Sequence, residues 1–149
     1  MKTRSEKIML LLMFIGLILS SYLTYLHYEP EKLNTDFCDI NSYLSCSTVN
    51  KSTYASFIGI PVALFGILGF LLLLIIMIKK PKNYEAYTLI FILIALLFMI
   101  YLTLMEIFMI KALCIYCISV ALTVLLLFII ALINYKTELV RFIKEIKVE

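Results

Sequence analysis

The chain has 149 residues, of which 64% are hydrophobic and 15% charged, with a formal net charge of +3. A mean hydropathy of +1.06 lies well outside the soluble range and excludes a water-soluble globular enzyme. The positive excess sits at the ends of apolar runs, where it anchors membrane segments, and gives no case for nucleic acid as a partner.

A helix rises about 1.5 Å per residue and a hydrocarbon core is about 30 Å thick, so one crossing takes about 20 apolar residues. Four runs meet that length, at about 8–26, 57–78, 84–110 and 113–134. The opening, MKTRSEKIMLLLMFIGLILSSYLTYL, has the basic head and apolar middle of a secretion signal. Its apolar run is too long for one, and no A-x-A-like cleavage site follows, so it is read as the first span. An outer loop, about 27–56, comes next and holds the polar stretch NTDFCDINSYLSCSTVNKS. In the second span, LFGILGFLLLLIIMI is apolar all round, unlike the alternation of a barrel strand, so the spans are helices with their backbone groups paired internally. Gly59 and Pro61 fit a helix start, and Gly66 and Gly69 fit close helix packing. The turn KKPK joins spans two and three.

The third span carries Glu106, an acid inside the membrane and therefore a functional candidate. At that depth its carboxylate is expected to reach interfacial water or Lys111, or to relay protons. His27, at the end of the first span, reads as an unspecialised interfacial residue. Past the fourth span, a tail at about 135–149 reads either as solvated or as a helix lying on the inner leaflet. Lys2, Arg4, Lys7, the KKPK turn, Lys136, Arg141, Lys144 and Lys147 outnumber Lys32, Lys51 and Lys111 on the other side. Both termini are therefore expected in the cytoplasm, with the long loop and the IKAL turn outside.

All four cysteines then fall on the oxidising side: Cys38 and Cys46 in the loop, Cys114 and Cys117 at the mouth of the fourth span. CIYC puts two sulfurs one helical turn apart on one face. Free backbone N–H groups at that helix start favour negative charge on the first sulfur, making Cys114 the natural attacking group. Cys117 lies a turn deeper, within reach of an apolar electron acceptor. Cys38 and Cys46 are near enough to form a disulfide, either a structural staple or one half of a thiol–disulfide shuttle to Cys114. A zinc site from all four cysteines is the rival, although the C-x7-C spacing and the single histidine do not match a zinc knuckle. No haem, flavin or iron–sulfur signature is present, so a further acceptor would be a lipid-soluble quinone among the helices. Segments around GIPVALFG and FMIYLTLMEIFMI offer Phe65, Glu106 and Met109 beside Cys117 as its contacts.

With C-x7-C ahead of it, CSTVNKSTYASFIGIPVALFG and the later YLTLMEIFMIKALCIYC resemble the vitamin K epoxide reductase family in its prokaryotic form, over nearly the whole chain. Membrane proteins of the DsbB type also have four helices and two cysteine pairs, but place C-x-x-C first. The resemblance implies an all-α integral membrane protein, a four-transmembrane-helix bundle with an extracytoplasmic loop capping the active site. It implies a thiol:quinone oxidoreductase with Cys114 and Cys117 as the active pair and Cys117 facing the quinone. Cys46 would exchange with Cys114, and Cys38 would meet the partner; Asp39 and Ser47 fit the same pattern. Polar groups that hold the quinone in animal members correspond to positions near Val62 and Ala121, which are apolar here. No thioredoxin-like domain accompanies the bundle in these residues, so a separate thioredoxin-like or DsbA-like protein is the expected partner. Two alternatives stand beside that reading: a quinone or vitamin K epoxide reductase driven by external dithiols, and a non-enzymatic metal-binding membrane protein.

Overall fold

The computed structural model describes residues 2–29 and 38–148. Loop residues 30–37, with Lys32, lie outside the described residues, as do the side chains of Lys2, Arg141, Lys144 and Lys147. Four long helices make the bundle: α1 (Lys2–Tyr28), α3 (Val62–Lys79), α4 (Tyr84–Met105) and α5 (Ile115–Val148). A short helix, α2 (Cys46–Lys51), lies in the outer loop. Each long helix contains a segment long and apolar enough to cross a membrane.

Burial follows one stripe per helix. On α1 it runs through Met9, Met13, Ser20, Leu23 and Leu26, and on α5 through Val120, Val124, Leu127, Ala131 and Tyr135. The outward faces carry Leu11, Ile18, Leu68, Ile78, Leu97 and Ile133, all large, apolar and exposed. Lipid tails are as apolar as these side chains, so close packing replaces the hydrophobic effect in holding the helices together. Gly16 and Gly66 supply that closeness between α1 and α3. A Cβ on Gly16 would run into the Phe70 ring, and one on Gly66 would lie 2.8 Å from Ser20 Oγ. At Gly69, by contrast, a Cβ would meet no atom within 4 Å. The helix ends away from the loop are tied by Glu6, whose carboxylate pairs with Lys80 Nζ at 2.6 Å and accepts from Tyr84 Oη at 2.9 Å.

Helix α1 runs past the expected 8–26 at both ends, and three further boundaries differ from the sequence expectation, each for a local reason. The second span starts at Val62 rather than residue 57 because Ser56–Phe57 (β1) pairs antiparallel with Ile60–Pro61 (β2). Ile58 and Gly59 form the two-residue turn between them, both at positive φ (54° and 80°), as a tight hairpin of this hand requires. That conformation is costly for a β-branched residue such as Ile58. The fourth helix starts at Ile115 rather than residue 113, since the residues before it pair with the outer loop. It then continues unbroken to Val148, so residues 135–148 of the expected tail at 135–149 are helical in continuity with the span.

If the Gly16 contact sets the α1–α3 distance, Gly16→Ala lowers thermal stability in detergent by about 1–3 kcal/mol through overpacking. Gly69→Ala, facing open space, leaves stability unchanged or raises it by about 0.5–1 kcal/mol, the usual gain of alanine over glycine in a helix. Parallel thermal melts of the two variants check the contrast.

Candidate active site

The site is built by the loop docking onto the segment between α4 and α5. After Met105, helix α4 widens into a π turn at Glu106–Ile110, which ends with Lys111 at a left-handed φ of 57°. Such wide turns recur at functional sites. The chain then runs extended: Leu113 N–H donates to Tyr43 O at 2.6 Å, Ser45 N–H donates to Leu113 O at 3.1 Å, and Leu44 pairs in parallel with Leu113. Asn41 shapes the loop for this, its Oδ1 accepting from the N–H groups of Tyr43 and Leu44, each at 2.9 Å.

From Ser45 the chain enters α2, with Ser45 Oγ capping it through Thr48 N–H at 3.2 Å. Asp39 Oδ1 accepts from Ser47 N–H at 3.2 Å, fastening the residue after Cys38 to the start of the helix that begins with Cys46. Cys38 and Cys46 are joined as a disulfide. Burial opposes the charge on Asp39, but hydrogen bonds from the Ser47 and Ser45 side chains and the Ser47 backbone, with the nearby Lys51 charge, outweigh it and hold the carboxyl below its usual range.

The Sγ atoms of Cys38, Cys46 and Cys114 all lie within 4.8 Å of one another. Because the two loop sulfurs are bonded to each other, the trio does not offer the thiolates a zinc site needs. Cys114 occupies the cap position of α5: its Sγ accepts from Cys117 N–H at 3.2 Å, and its own N–H donates to Glu106 Oε2 at 3.3 Å. The cap places the Cys114 sulfur against the otherwise unpaired backbone N–H groups that open α5. Cys114 and Cys117 are free thiols, and the Cys117 side chain faces both Cys114 and Glu106. With relative exposures of 2% for Cys38, 1% for Cys46 and 0% for Cys114, none of the three clustered sulfurs is open to solvent.

Below the thiols is a cavity of about 300 Å³, large enough for a small ring compound and almost wholly apolar. It lies where α3 and α4 pack loosely; α1 against α3 and α4 against α5 are far closer. Of the four residues expected to contact a quinone, Phe65, Glu106 and Cys117 line it. Met109 does not; on the π turn it is 57% exposed and turned away. Val62 is on the wall, whereas Ala121 is not among the lining residues. The polar groups missed from sequence are Asn50, Ser52 and Tyr54, contributed by the docked loop, together with Ser20 and Thr103 on the helices. His27 has a defined task, its Nδ1 lying 3.1 Å from Asn50 O and 3.3 Å from Asn50 Oδ1, which clamps α2 to α1. A lone histidine ending a span beside an Asn-containing loop was the available signal. Tyr116 packs edge-on against Tyr22 of α1, with centroids 5.1 Å apart. Glu106 is buried, and its carboxylate engages the Cys114 N–H rather than Lys111, which is exposed.

Four membrane helices, a loop disulfide, a free C-x-x-C pair beside it and an apolar cavity below define the class of a membrane thiol–disulfide oxidoreductase. The profile of the vitamin K epoxide reductase family matches residues 7–132, and the chain belongs to that family. Membership makes it a multi-pass membrane oxidoreductase of the quinone and disulfide type. Comparison with curated proteins brings no match.

Asp39→Asn keeps an oxygen for the Ser47 N–H but loses the charge. Since the folded carboxyl titrates below its unfolded value of about 3.9, its stabilisation is full above that pH and is lost as pH falls through the lower folded value. Thermal melts at a series of pH values should show the variant less stable than the parent at neutral pH, with the difference closing only below about pH 4.

Proposed function

We propose that the protein oxidises a thioredoxin-like or DsbA-like partner and reduces a membrane quinone, supporting disulfide formation in exported proteins. The observation that carries this is the sulfur cluster, Cys38, Cys46 and Cys114 within 4.8 Å, with Cys117 forming part of the cavity wall behind it. The partner's dithiol reduces the disulfide between Cys38 and Cys46. Thiolate exchange between Cys46 and Cys114 passes the electron pair inward, leaving Cys114 and Cys117 as thiols and the loop pair oxidised. The bonded loop pair and the free Cys114 and Cys117 thiols in the structure support that order. Cys117 then delivers the electrons into the cavity, and a disulfide between Cys114 and Cys117 closes the cycle.

The cavity suits a quinone ring, with apolar walls and polar side chains from Asn50, Ser52, Tyr54 and Glu106 near its outer end. A quinone bound there supplies a two-electron acceptor soluble in lipid. The loose packing of α3 against α4 supports entry from the bilayer. The distribution of Lys and Arg supports cytoplasmic termini and a site facing outside the cell membrane.

The decisive experiment is anaerobic mixing of the dithiol-reduced protein with a soluble quinone analogue, followed by quinone absorbance and by alkylation mapping of each cysteine. Stoichiometric quinone loss with oxidation of both pairs is the expected result; no quinone loss with all thiols retained would reject the reading. Cys114→Ala and Cys117→Ala each abolish turnover. Cys38→Ala blocks reduction by a protein partner while sparing a small dithiol that reaches Cys114 directly, so equal loss with both reductants would reject the shuttle.

A further inference from the structure

Oxidation of the inner pair breaks two S–H bonds, forms one S–S bond and releases two electrons and two protons; a quinone that accepts the electrons needs two protons in turn. The Cys117 proton starts beneath a closed loop and beside an apolar cavity. We propose that Glu106 is a catalytic residue of this half-reaction, the base that takes the Cys117 proton and hands it on within the cavity. This rests on the reading of the cavity as the quinone site.

Position is the first argument. Glu106 is 6% exposed, lines the same cavity as Cys117 and faces its thiol. Among the described lining residues it is the sole carboxylate. Its backbone is fixed as well: Glu106 O accepts from Lys111 N–H and from Ala112 N–H, the latter at 3.3 Å. With Oε2 held by the Cys114 N–H, the carboxyl group spans the two cysteines of the pair. Chemistry is the second argument. Holding an amide needs only a carbonyl oxygen, which glutamine would supply; an ionisable oxygen adds the capacity to gain and lose a proton. Burying that ionisable group in a membrane helix carries a cost that an amide would avoid.

Around Glu106 the titratable groups are Cys114 and Cys117 from α5. From α2, packed on the same turn, come Cys46, already in the disulfide, and Lys51, exposed and acting on Asp39. Lys111 is exposed, Tyr54 lies on the cavity wall, and α3 has no ionisable side chain before Lys79. In the balanced step, Glu106 takes the Cys117 proton as the sulfur gives up its electrons, then passes it to one oxygen of the reduced quinone. The Cys114 proton leaves separately, matched by the one taken up at the second oxygen.

The test is Glu106→Gln, which retains an acceptor for the Cys114 N–H. Single-turnover quinone reduction at neutral pH should fall about 100-fold, within the usual range for loss of a general base, and recover as pH is raised. Exchange between Cys46 and Cys114, read as mixed disulfide with a small dithiol, should be unchanged. In quinone-free protein, alkylation of Cys117 should become slow at neutral pH and recover in alkali, with Cys114 unaffected. A parental quinone rate with parental Cys117 reactivity overturns the proposal, as does parallel loss of both half-reactions, which would mark a structural role. If Glu106→Gln does not fold, the pH profile of Glu106→Asp is read instead; a shifted profile supports the proposal and an unshifted one overturns it. Cys117→Ala separates the two levels: retained quinone reduction there rejects the underlying site, whereas its loss beside a fully active Glu106→Gln rejects only the role of Glu106.

Discussion

Two main-chain hydrogen bonds, from Leu113 to Tyr43 and from Ser45 to Leu113, decide where the thiol chemistry sits. Backbone that is neither helical nor solvated is costly at the edge of a bilayer, because its polar groups lack partners. The connection between α4 and α5 is such a stretch, and the loop provides the partners. Once Ser45 is bonded to Leu113, the next residue in each strand is a cysteine, so satisfying the backbone and aligning Cys46 with Cys114 are one event.

Other polar contacts near the loop reinforce that alignment from different directions. Asp39 and Ser45 fix the start of α2, and His27 and Asn50 hold its far end to α1. Glu106 ties the end of α4 to the cap of α5. These groups gather in the outer third of the molecule, while the middle of the bundle relies on shape, as at Gly16 against Phe70. The division leaves α3 and α4 free to separate slightly beneath the thiols, and the cavity occupies that gap.

Much of this was legible in the sequence because length and hydropathy determine a membrane helix almost by themselves. The four spans, the loop between the first two and the i, i+3 placement of Cys114 and Cys117 follow from spacing alone. The nearness of Cys46 to Cys114 was a guess about loop folding that spacing could not decide, since it depends on a parallel pairing between residues 69 positions apart (Leu44 with Leu113). Hydropathy also could not see that Ile58 adopts a left-handed conformation, so the apolar run at 57–61 looked helical when it forms a hairpin. Met109 seemed equivalent to Glu106 because both lie near the end of one span. A π turn changes the angular spacing of side chains, and the three-residue step that carries Glu106 inward carries Met109 outward. Asn50 and Ser52 look like ordinary loop polarity and Tyr54 carries no signal of its own, because nothing local indicates that the loop forms the roof of a cavity.

The burial of the loop disulfide has a consequence for electron leakage. A sulfur that is 1–2% exposed meets an external thiolate only in the fraction of molecules whose loop has lifted. The effective rate of any reductant is scaled down by that fraction. Raising the concentration of a small thiol speeds its reaction in proportion but leaves that fraction unchanged, whereas a protein that grips the lifted loop would shift the equilibrium toward itself through binding. Under the proposed shuttle, the closed loop would act as insulation around a conductor. Selectivity among reductants would then depend on recognition of the loop's surface, where Ile40 and Tyr43 stand exposed, rather than on the potential of the disulfide beneath it.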